Sequence, residues 1–158
     1  MKMRRRFSKI LEEIMGEDPD IHLVTADLGY GMFDSIKEKY PTRFHNVGAA
    51  EQLMMLTAIG LSLSGKKPIT YTISPFYWRC AEMIRNYVNE EQIPILMVGS
   101  GRDKDYAHDG FSHDASDVDN LFKCFANVAG RTFQTKDDVE DHLKTYKWNY
   151  PWYLNLKR

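Results

Sequence analysis

A single carboxylate stands at the start of the most apolar stretch of the chain. Glu51 follows the Gly-Ala-Ala segment at 48–50, and no further charged residue occurs before Lys66. Acids are seldom buried, so a carboxylate in such surroundings is unusual. An acid in the first turn of a helix also complements the helix dipole. Judged by position alone, Glu51 is predicted to have that structural role.

A second group of reactive side chains follows the apolar run that ends at Val98. Residues 99–114 mix ionisable, aromatic and flexible residues, a composition typical of functional loops. The histidine spacing matches no standard zinc motif, so we predict no metal site. We expect these histidines to contact a substrate or to be solvated. The histidines and the acids near them are His108, His113, Asp105, Asp109 and Asp114.

A third group is aromatic. Phe76, Tyr77 and Trp78 follow Ser74 and Pro75 in the sequence. At least one of these rings is predicted to be an ordinary core residue at a helix start, in which case the neighbouring Arg79 lies at the surface.

The two cysteines and the missing motifs narrow the chemistry. Cys80 and Cys124 lie far apart in apolar segments without a C-x-x-C or zinc pattern, so both are predicted to be reduced structural residues. The sequence contains no P-loop, no G-x-G-x-x-G after a strand, no H-E-x-x-H and no G-x-S-x-G. The commonest motif-based enzyme classes are therefore excluded.

Length and composition indicate the number of domains and the classes of partner. The chain has 158 residues, 43% of them hydrophobic, which suits a single domain spanning 1–158. The net charge is −1, so neither nucleic acid nor a membrane surface is an expected partner. No apolar run approaches the ~20 residues of a membrane span. We expect a cytoplasmic protein whose ligand is a small molecule or another protein.

The elements that must position these side chains alternate between helix and strand. This alternation predicts an α/β fold, an open α/β/α sandwich of three layers with a mostly parallel sheet of about six strands. The run 50–64 is apolar nearly all round, which predicts a helix buried on most sides. Predicted helices span 3–16, 32–40, 50–64, 76–89, a short stretch near 121, and 136–146; predicted strands span 21–25, 44–47, 69–73, 93–98, 125–128 and 153–156.

Such a sheet binds its ligands at one edge. In open α/β sheets ligands gather beyond the carboxyl ends of the strands. The loops after Thr25, Val47, Ile73 and Val98 meet this condition. We expect these four loops to form the site together.

Three separated segments are distinctive: RFHNVGAAEQLMM at 43–55, YTISPF at 71–76 with Arg79, and DGFSH at 109–113. Together they resemble the pyrimidine-binding domain of transketolases, which are thiamine diphosphate enzymes. Their order and spacing also match the family. The resemblance runs from residues 26–27 to residues 151–158 and implies the thiamine diphosphate-binding fold.

The resemblance assigns the cofactor site. It implies that Glu51 is catalytic, because the matching glutamate hydrogen-bonds N1′ of the cofactor's aminopyrimidine ring. Phe76 matches the aromatic residue that stacks on this ring, and Ile73 and Tyr77 are expected to complete the pocket wall. Asp27 matches an acid near the thiazolium ring.

The resemblance also assigns substrate contacts. Asp109 and His113 match residues that contact sugar hydroxyls, and His113 is an expected catalytic proton shuttle. His108 and Arg79 are expected to bind substrate as well. The sequence departs from the family at His108, where an acid is usual, and lacks a loop histidine near Gly101. The sugar specificity is therefore open.

The likeness covers one part of the family's architecture. The diphosphate-binding domain with its G-D-G…N magnesium motif and the C-terminal third domain have no counterpart in this sequence. The resemblance thus implies a split transketolase in which a partner chain supplies the diphosphate-binding domain and holds Mg²⁺. Self-association into a homodimer or an α2β2 assembly is also expected.

The sequence is also compatible with other functions. A β-type subunit of a 2-oxo acid dehydrogenase and a deoxyxylulose phosphate synthase share a similar G-x-x-E-Q segment. A non-catalytic interaction module with the same fold is the alternative from a different class. Turnover of pyruvate instead of ketose phosphates would favour the former two, and failure to bind thiamine diphosphate with any partner would favour the third.

Overall fold

A computed structural model describes residues 2–158 and shows one open sheet of six strands, all parallel. The order across the sheet is β2-β1-β3-β4-β6-β5. The predicted α/β sandwich is therefore confirmed. The strands are β1 (Ile21–Thr25), β2 (Phe44–Asn46), β3 (Lys67–Ile73), β4 (Leu96–Ser100), β5 (Ala129–Thr132) and β6 (Trp152–Leu156).

Helices cover both faces of the sheet. One layer contains α1 (Met3–Glu17), α2 (Asp34–Lys39) and α6 (Lys136–Thr145). The other layer contains α3 (Glu51–Leu63), the helical segment 74–89 and α5 (Val118–Lys123). Segment 74–89 consists of a 3-10 turn (Ser74–Cys80), the short helix α4 (Ala81–Met83) and a π-helical turn (Ile84–Asn89). Each layer encloses its own apolar core against the sheet.

The central strands are apolar because helices cover them on both sides. All of β4 is buried, as are six of the seven residues of β3. A parallel sheet covered in this way requires apolar residues on both faces of its central strands. The strand predicted at 93–98 overlaps this central strand, which begins at Leu96 and ends at Ser100.

Two further predicted elements differ from the observed ones. The strand expected at 125–128 lies four residues later, at β5, because Phe125 and Val128 pack into the core before the strand begins. The helix expected at 76–89 is helical but irregular, and it starts at Ser74 with Pro75 in its first turn. Proline fits the first turn of a helix because the N–H groups there have no partner within the helix. The missing N–H of proline therefore costs no hydrogen bond at this position.

The apolar helix α3 is not buried on most sides. Leu53 is 50% exposed, Leu56 46% and Leu63 72%. The sheet and segment 74–89 contact only part of its circumference, so one apolar face of α3 is exposed. No helix formed by residues 2–158 is long and apolar enough to cross a membrane.

Candidate active site

The candidate site lies at the carboxyl edge of the sheet, where the loops after β1 and β2 are joined by Asn46. The Asn46 side-chain oxygen accepts hydrogen bonds from the backbone N–H of Asp27 at 2.9 Å and of Gly48 at 3.1 Å. Gly48 adopts a left-handed backbone conformation (φ 75°), which glycine tolerates without strain. This turn leads directly into α3 and fixes where Glu51 emerges.

Glu51 is buried, with 4% of its surface exposed, and it is paired with a cation. Its Oε2 atom accepts a hydrogen bond from Arg79 Nη1 at 2.8 Å, and its backbone carbonyl accepts one from the Cys80 thiol at 3.2 Å. A buried carboxylate requires a partner of this kind because an unpaired charge is costly to remove from water. The Glu51 side chain thus makes a specific tertiary contact as well as lying in the first turn of a helix.

Arg79, expected to bind substrate, is held on Glu51 while 63% of its side chain remains exposed. It lies in the 3-10 turn Ser74–Cys80, three residues after Phe76. Side chains three apart in a 3-10 helix eclipse one another, so Arg79 and Phe76 project from the same side of the turn. This turn therefore brings the cation that pairs with Glu51 and the expected stacking ring to one place.

The loop after β4 contacts the Phe76 ring. Phe76 is half-buried, and its ring centroid lies 5.1 Å from that of His113 with the two planes inclined at 70°. A further link is the Trp78 indole N–H, which donates to Asp117 at 3.3 Å. The predicted proximity of the loops after β3 and β4 is thus present, and His113 stands beside the expected cofactor-stacking residue.

Tyr77 and Ile73 occupy positions behind this surface. Tyr77 has no exposed surface; its hydroxyl oxygen lies 2.9 Å from Thr70 Oγ1, and burial raises its pKa well above the ordinary value. Ile73 is 8% exposed at the end of β3. Tyr77 is therefore a core residue, which agrees with the expectation that at least one of the three aromatic residues is structural. In the single chain its side chain does not reach the surface of the expected pocket wall.

Asp27 lies at the exposed end of β1, with its backbone in the left-handed region at φ 55°. The Tyr30 hydroxyl donates to its carboxylate, and this bond raises the pKa of Tyr30. Asp27 is thus placed on the same edge as Glu51 through the Asn46 turn, with its side chain directed to Tyr30.

His108 and Asp109 form an exposed pair. His108 Nε2 lies 3.3 Å from Asp109 Oδ2 and 3.1 Å from Arg158 Nη1. The Arg158 guanidinium also lies 4.8 Å from the Tyr106 ring centroid. The end of β6 is therefore tied to the loop that carries the expected substrate residues.

Sequence reasoning missed a cationic cleft of about 1370 Å³ that lies beside the site. Arg4 donates to the Tyr106 hydroxyl at 2.8 Å, and that hydroxyl oxygen lies 3.0 Å from Ser100 Oγ. The basic residues at the start of the helix predicted at 3–16 were the signal that could have indicated this cleft. The cleft is lined by basic and aromatic side chains that include Lys2, Arg4, Arg5, Lys9, Tyr30 and Tyr106.

The acids, histidines and cysteines of the described residues are the candidates for a metal site and for a reactive thiol. Within residues 2–158, no cluster of three or more His, Cys, Asp or Glu side chains is arranged to hold a metal. Burial raises the pKa of Cys80 to about 12, so its thiol stays protonated as expected of a structural residue. Cys124, predicted to be a reduced structural residue in an apolar segment, is exposed, and it follows the last residue of the short helix α5.

Comparison with known proteins agrees with this geometry. The family model described as "Transketolase, pyrimidine binding domain" matches residues 1–147. An uncharacterized 33.6 kDa protein of the fasciation locus of Rhodococcoides fascians is 29% identical over 142 residues, covering 87% of this chain and 46% of that protein. The 1-deoxy-D-xylulose-5-phosphate synthase of Dictyoglomus turgidum is 29% identical over 146 residues, covering 92% of this chain and 23% of the synthase. The chain spans less than half the length of either relative.

Solved structures show the same fold. A split-gene transketolase described as an inactive beta4 tetramer superposes with a TM-score of 0.85 at 28% identity, covering all of this chain and 52% of the other. The transketolase of Campylobacter jejuni superposes with a TM-score of 0.89 at 14% identity, covering 99% of this chain and 26% of the other; that likeness concerns the fold alone. The chain belongs to the transketolase pyrimidine-binding domain family of thiamine diphosphate enzymes.

Proposed function

We propose that this chain is the pyrimidine-binding subunit of a split transketolase that transfers a two-carbon ketol unit between sugars or sugar phosphates. In this proposal Glu51 is the catalytic acid that contacts the cofactor, and activity requires a partner chain with a diphosphate-binding domain. The observation that carries the proposal is the buried Glu51 carboxylate beside the Phe76 turn at the ligand-binding edge of the sheet.

The residues at this edge fit the pyrimidine end of thiamine diphosphate. Phe76 presents a half-buried flat ring, which suits a neutral heterocycle. Arg79 occupies one oxygen of the Glu51 carboxylate and leaves the other as a partner for a ring nitrogen. Thiamine diphosphate, when bound, supplies the reactive carbon for cleavage and formation of carbon–carbon bonds. Glu51 would hold a proton at the ring nitrogen, and Phe76 and Ile73 would orient the ring.

The substrate side of the proposal rests on the loop after β4. His113 stands next to Phe76, where an imidazole can move a proton to or from a sugar hydroxyl. Asp109 and His108 are exposed at the same loop and can accept or donate hydrogen bonds to sugar hydroxyls. The cationic cleft beside the loop would attract an anionic group, which favours a phosphorylated sugar.

The partner chain completes the proposed enzyme. It would bind the diphosphate and Mg²⁺, for which residues 2–158 offer no acidic cluster of their own. The split-gene transketolase similar to this chain is described as an inactive beta4 tetramer. This description supports a subunit that self-associates and lacks activity until its partner joins it.

A reconstitution experiment tests the proposal. The chain is coexpressed with a chain that carries a G-D-G…N magnesium motif, and the purified complex is assayed with thiamine diphosphate and Mg²⁺. We expect cofactor-dependent transfer from a ketose phosphate to an aldose, and no transfer by either chain alone. A complex that binds the cofactor but acts only on pyruvate would overturn the transketolase assignment.

A synthase of the deoxyxylulose phosphate type is the second candidate, because curated relatives of this chain include several such synthases. The same assay separates the two, since a synthase condenses pyruvate with an aldose phosphate. A β-type subunit of a 2-oxo acid dehydrogenase would also use a 2-oxo acid, with a different acceptor. A complex that assembles but never binds thiamine diphosphate would instead indicate a non-catalytic module.

A further inference from the structure

The loop after β4, residues 101–114, carries the expected substrate residues but has few buried side chains. Tyr106 is 9% exposed, and it is the one buried residue between positions 102 and 114, a stretch that the structure describes in full. Asp109 is exposed, and His113 is half-buried. A loop with few buried contacts is prone to local opening. The position of this loop therefore depends on how Tyr106 is held.

The Tyr106 hydroxyl contacts two side chains from other elements. Arg4, at the start of α1, donates to it from Nη1 at 2.8 Å, and Ser100 Oγ, at the end of β4, lies 3.0 Å from it. Ser100 is buried, so the hydroxyl reaches a polar partner inside the fold. The hydrogen bond from Arg4 has a charged donor, which makes it stronger than a neutral one. The hydroxyl thus joins the loop to α1 and to the central strand.

The Tyr106 ring is packed closely as well. A Cβ atom added to Gly101 would lie 2.4 Å from ring carbon Cε2, so the ring fills space that a larger residue would need. The guanidinium groups of Arg4 and Arg158 lie 5.8 Å and 4.8 Å from the ring centroid, within the range of a cation–π interaction. The Arg158 backbone N–H also donates to the Asp105 carboxylate at 2.9 Å. The end of β6 therefore contacts the same ring.

Tyr106 is linked directly to the expected substrate residues. Its backbone carbonyl accepts a hydrogen bond from the N–H of Asp109 at 2.9 Å, and the Gly110 carbonyl accepts one from the N–H of His113 at 3.0 Å. The Tyr106 ring centroid lies 6.5 Å from that of His113, within the range of an aromatic contact. His113 therefore packs against both Tyr106 and Phe76. A displacement of Tyr106 would move Asp109 and His113 with it.

We propose that Tyr106 is a positioning residue that fixes Asp109 and His113 at the carboxyl edge of the sheet. Its ring and hydroxyl are held by α1, β4 and β6, and its backbone passes their position to the loop. The hydroxyl is already bound by Arg4 and Ser100, so Tyr106 acts through these contacts and is assigned no contact with a ligand. Small displacements of substrate-contacting groups have large effects on rate, which gives such a residue a functional role.

Limited proteolysis of the full chain measures the opening of the loop without any assay of activity. Chymotrypsin cleaves after Phe111, which is 92% exposed, but cleavage requires the surrounding backbone to open. We expect cleavage there to be about fivefold faster in Tyr106→Phe, which loses one hydrogen bond, and about tenfold or more in Tyr106→Leu, which also loses the ring. Tyr87→Phe makes the same change at an exposed tyrosine of segment 74–89 and should match the wild type.

Two comparisons identify the contact and separate it from global stability. Arg4→Met removes the charged donor, and because it breaks the same hydrogen bond, combining it with Tyr106→Phe should speed cleavage little beyond either single change. Cleavage after Tyr153, buried in β6, reports unfolding of the whole chain and should stay at the wild-type rate. Wild-type cleavage after Phe111 in both Tyr106 variants would overturn the proposal. So would a double variant whose effect is the product of the two single effects, or an equal rise at Tyr153.

Kinetics of the reconstituted complex test the effect on the site, which rests on the proposed function. We expect Tyr106→Leu to lower kcat/KM for the ketose phosphate by on the order of tenfold, and Tyr106→Phe, which keeps the ring, to recover part of this loss. The thiamine diphosphate concentration for half-maximal activity should not change, because Glu51 and Phe76 lie on other elements. An equal loss of cofactor affinity would contradict a positioning role. A wild-type complex without transfer activity would count against the proposed function, while the cleavage rates would still decide whether Tyr106 holds the loop.

Discussion

The Arg79 guanidinium lies 2.8 Å from the Glu51 carboxylate, and the acid is buried while most of the arginine side chain is exposed. The pair joins the first residue of α3 to the 3-10 turn that carries Phe76. Arg79 therefore compensates the charge of Glu51 directly. This role is additional to the substrate contact that the resemblance implied. The side chain that compensates the buried charge is therefore also accessible to a ligand that enters the site.

Removing the arginine should destabilise the chain through Glu51. We expect Arg79→Gln to lower the free energy of unfolding by about 1–3 kcal/mol, because a buried carboxylate loses its charged partner. Urea unfolding of wild type, Arg79→Gln, Glu51→Gln and the double variant gives the coupling energy of the pair. The double variant should recover part of the loss. Strict additivity of the two single changes would show that the pair contributes no interaction energy in solution.

Phe76 should affect cofactor binding through its flat face. In the reconstituted complex, Phe76→Leu keeps an apolar side chain of similar bulk but removes the ring. We expect the thiamine diphosphate concentration for half-maximal activity to rise roughly two- to tenfold, the range of an aromatic stacking contribution. Saturating cofactor should restore most of the rate. An unchanged cofactor requirement would remove Phe76 from the binding site.

His142 should make the fold sensitive to acid. It is buried among Phe133, Tyr146 and Trp152, its Nε2 atom has no hydrogen-bond partner, and burial lowers its pKa to about 4. The unfolded chain binds a proton at this residue below pH 6.5, whereas the folded chain resists it until about pH 4. Stability is therefore lost as the pH falls through this window, by about 1–3 kcal/mol.

A comparison with His142→Phe isolates this effect. Chemical denaturation between pH 7 and pH 4 should show a shallower loss of stability in the variant than in the wild type. The comparison is needed because burial also lowers the pKa values of His22 and His45, which titrate in the same direction. Parallel curves for the two proteins would contradict the assignment to His142.

The two thiols should differ in reactivity. Cys80 is buried with a pKa of about 12, whereas Cys124 is exposed. Iodoacetamide at mildly alkaline pH should modify Cys124 in the native protein and both cysteines after denaturation, because the thiolate is the reacting species. Peptide mapping by mass spectrometry reads this out. Equal labelling of Cys80 in the native state would contradict its buried position beside the Glu51 carbonyl.

From the sequence, the layered fold and the sheet edge that carries the site could be predicted better than the contacts between individual side chains. The order of helices and strands follows from apolar periodicity, and the loops that carry Glu51, Phe76 and His113 meet because parallel strands end at one edge of a sheet. The strand near residue 127 was misplaced because its preceding core residues, Phe125 and Val128, have the same apolar pattern as a short strand.

Pairings between distant residues were beyond sequence reasoning. Arg79 and Glu51 are separated by 28 positions, and nothing in their spacing shows that the 3-10 turn directs one toward the other. The cationic cleft was missed for a similar reason, since Arg4 reaches Tyr106 across 102 positions. The exposed face of α3 was predicted to be buried, because apolar residues all round a helix predict burial by the same chain or by another one.

Glu51→Gln in the reconstituted complex tests the central claim most directly. Glutamine keeps the size and a hydrogen-bonding side chain but removes the exchangeable proton of the acid. We expect assembly and cofactor binding to persist, as measured by sedimentation and titration calorimetry, while ketol transfer falls by a factor on the order of 10² or more. Full transfer activity in an assembled Glu51→Gln complex would contradict the assignment of Glu51 as the catalytic acid.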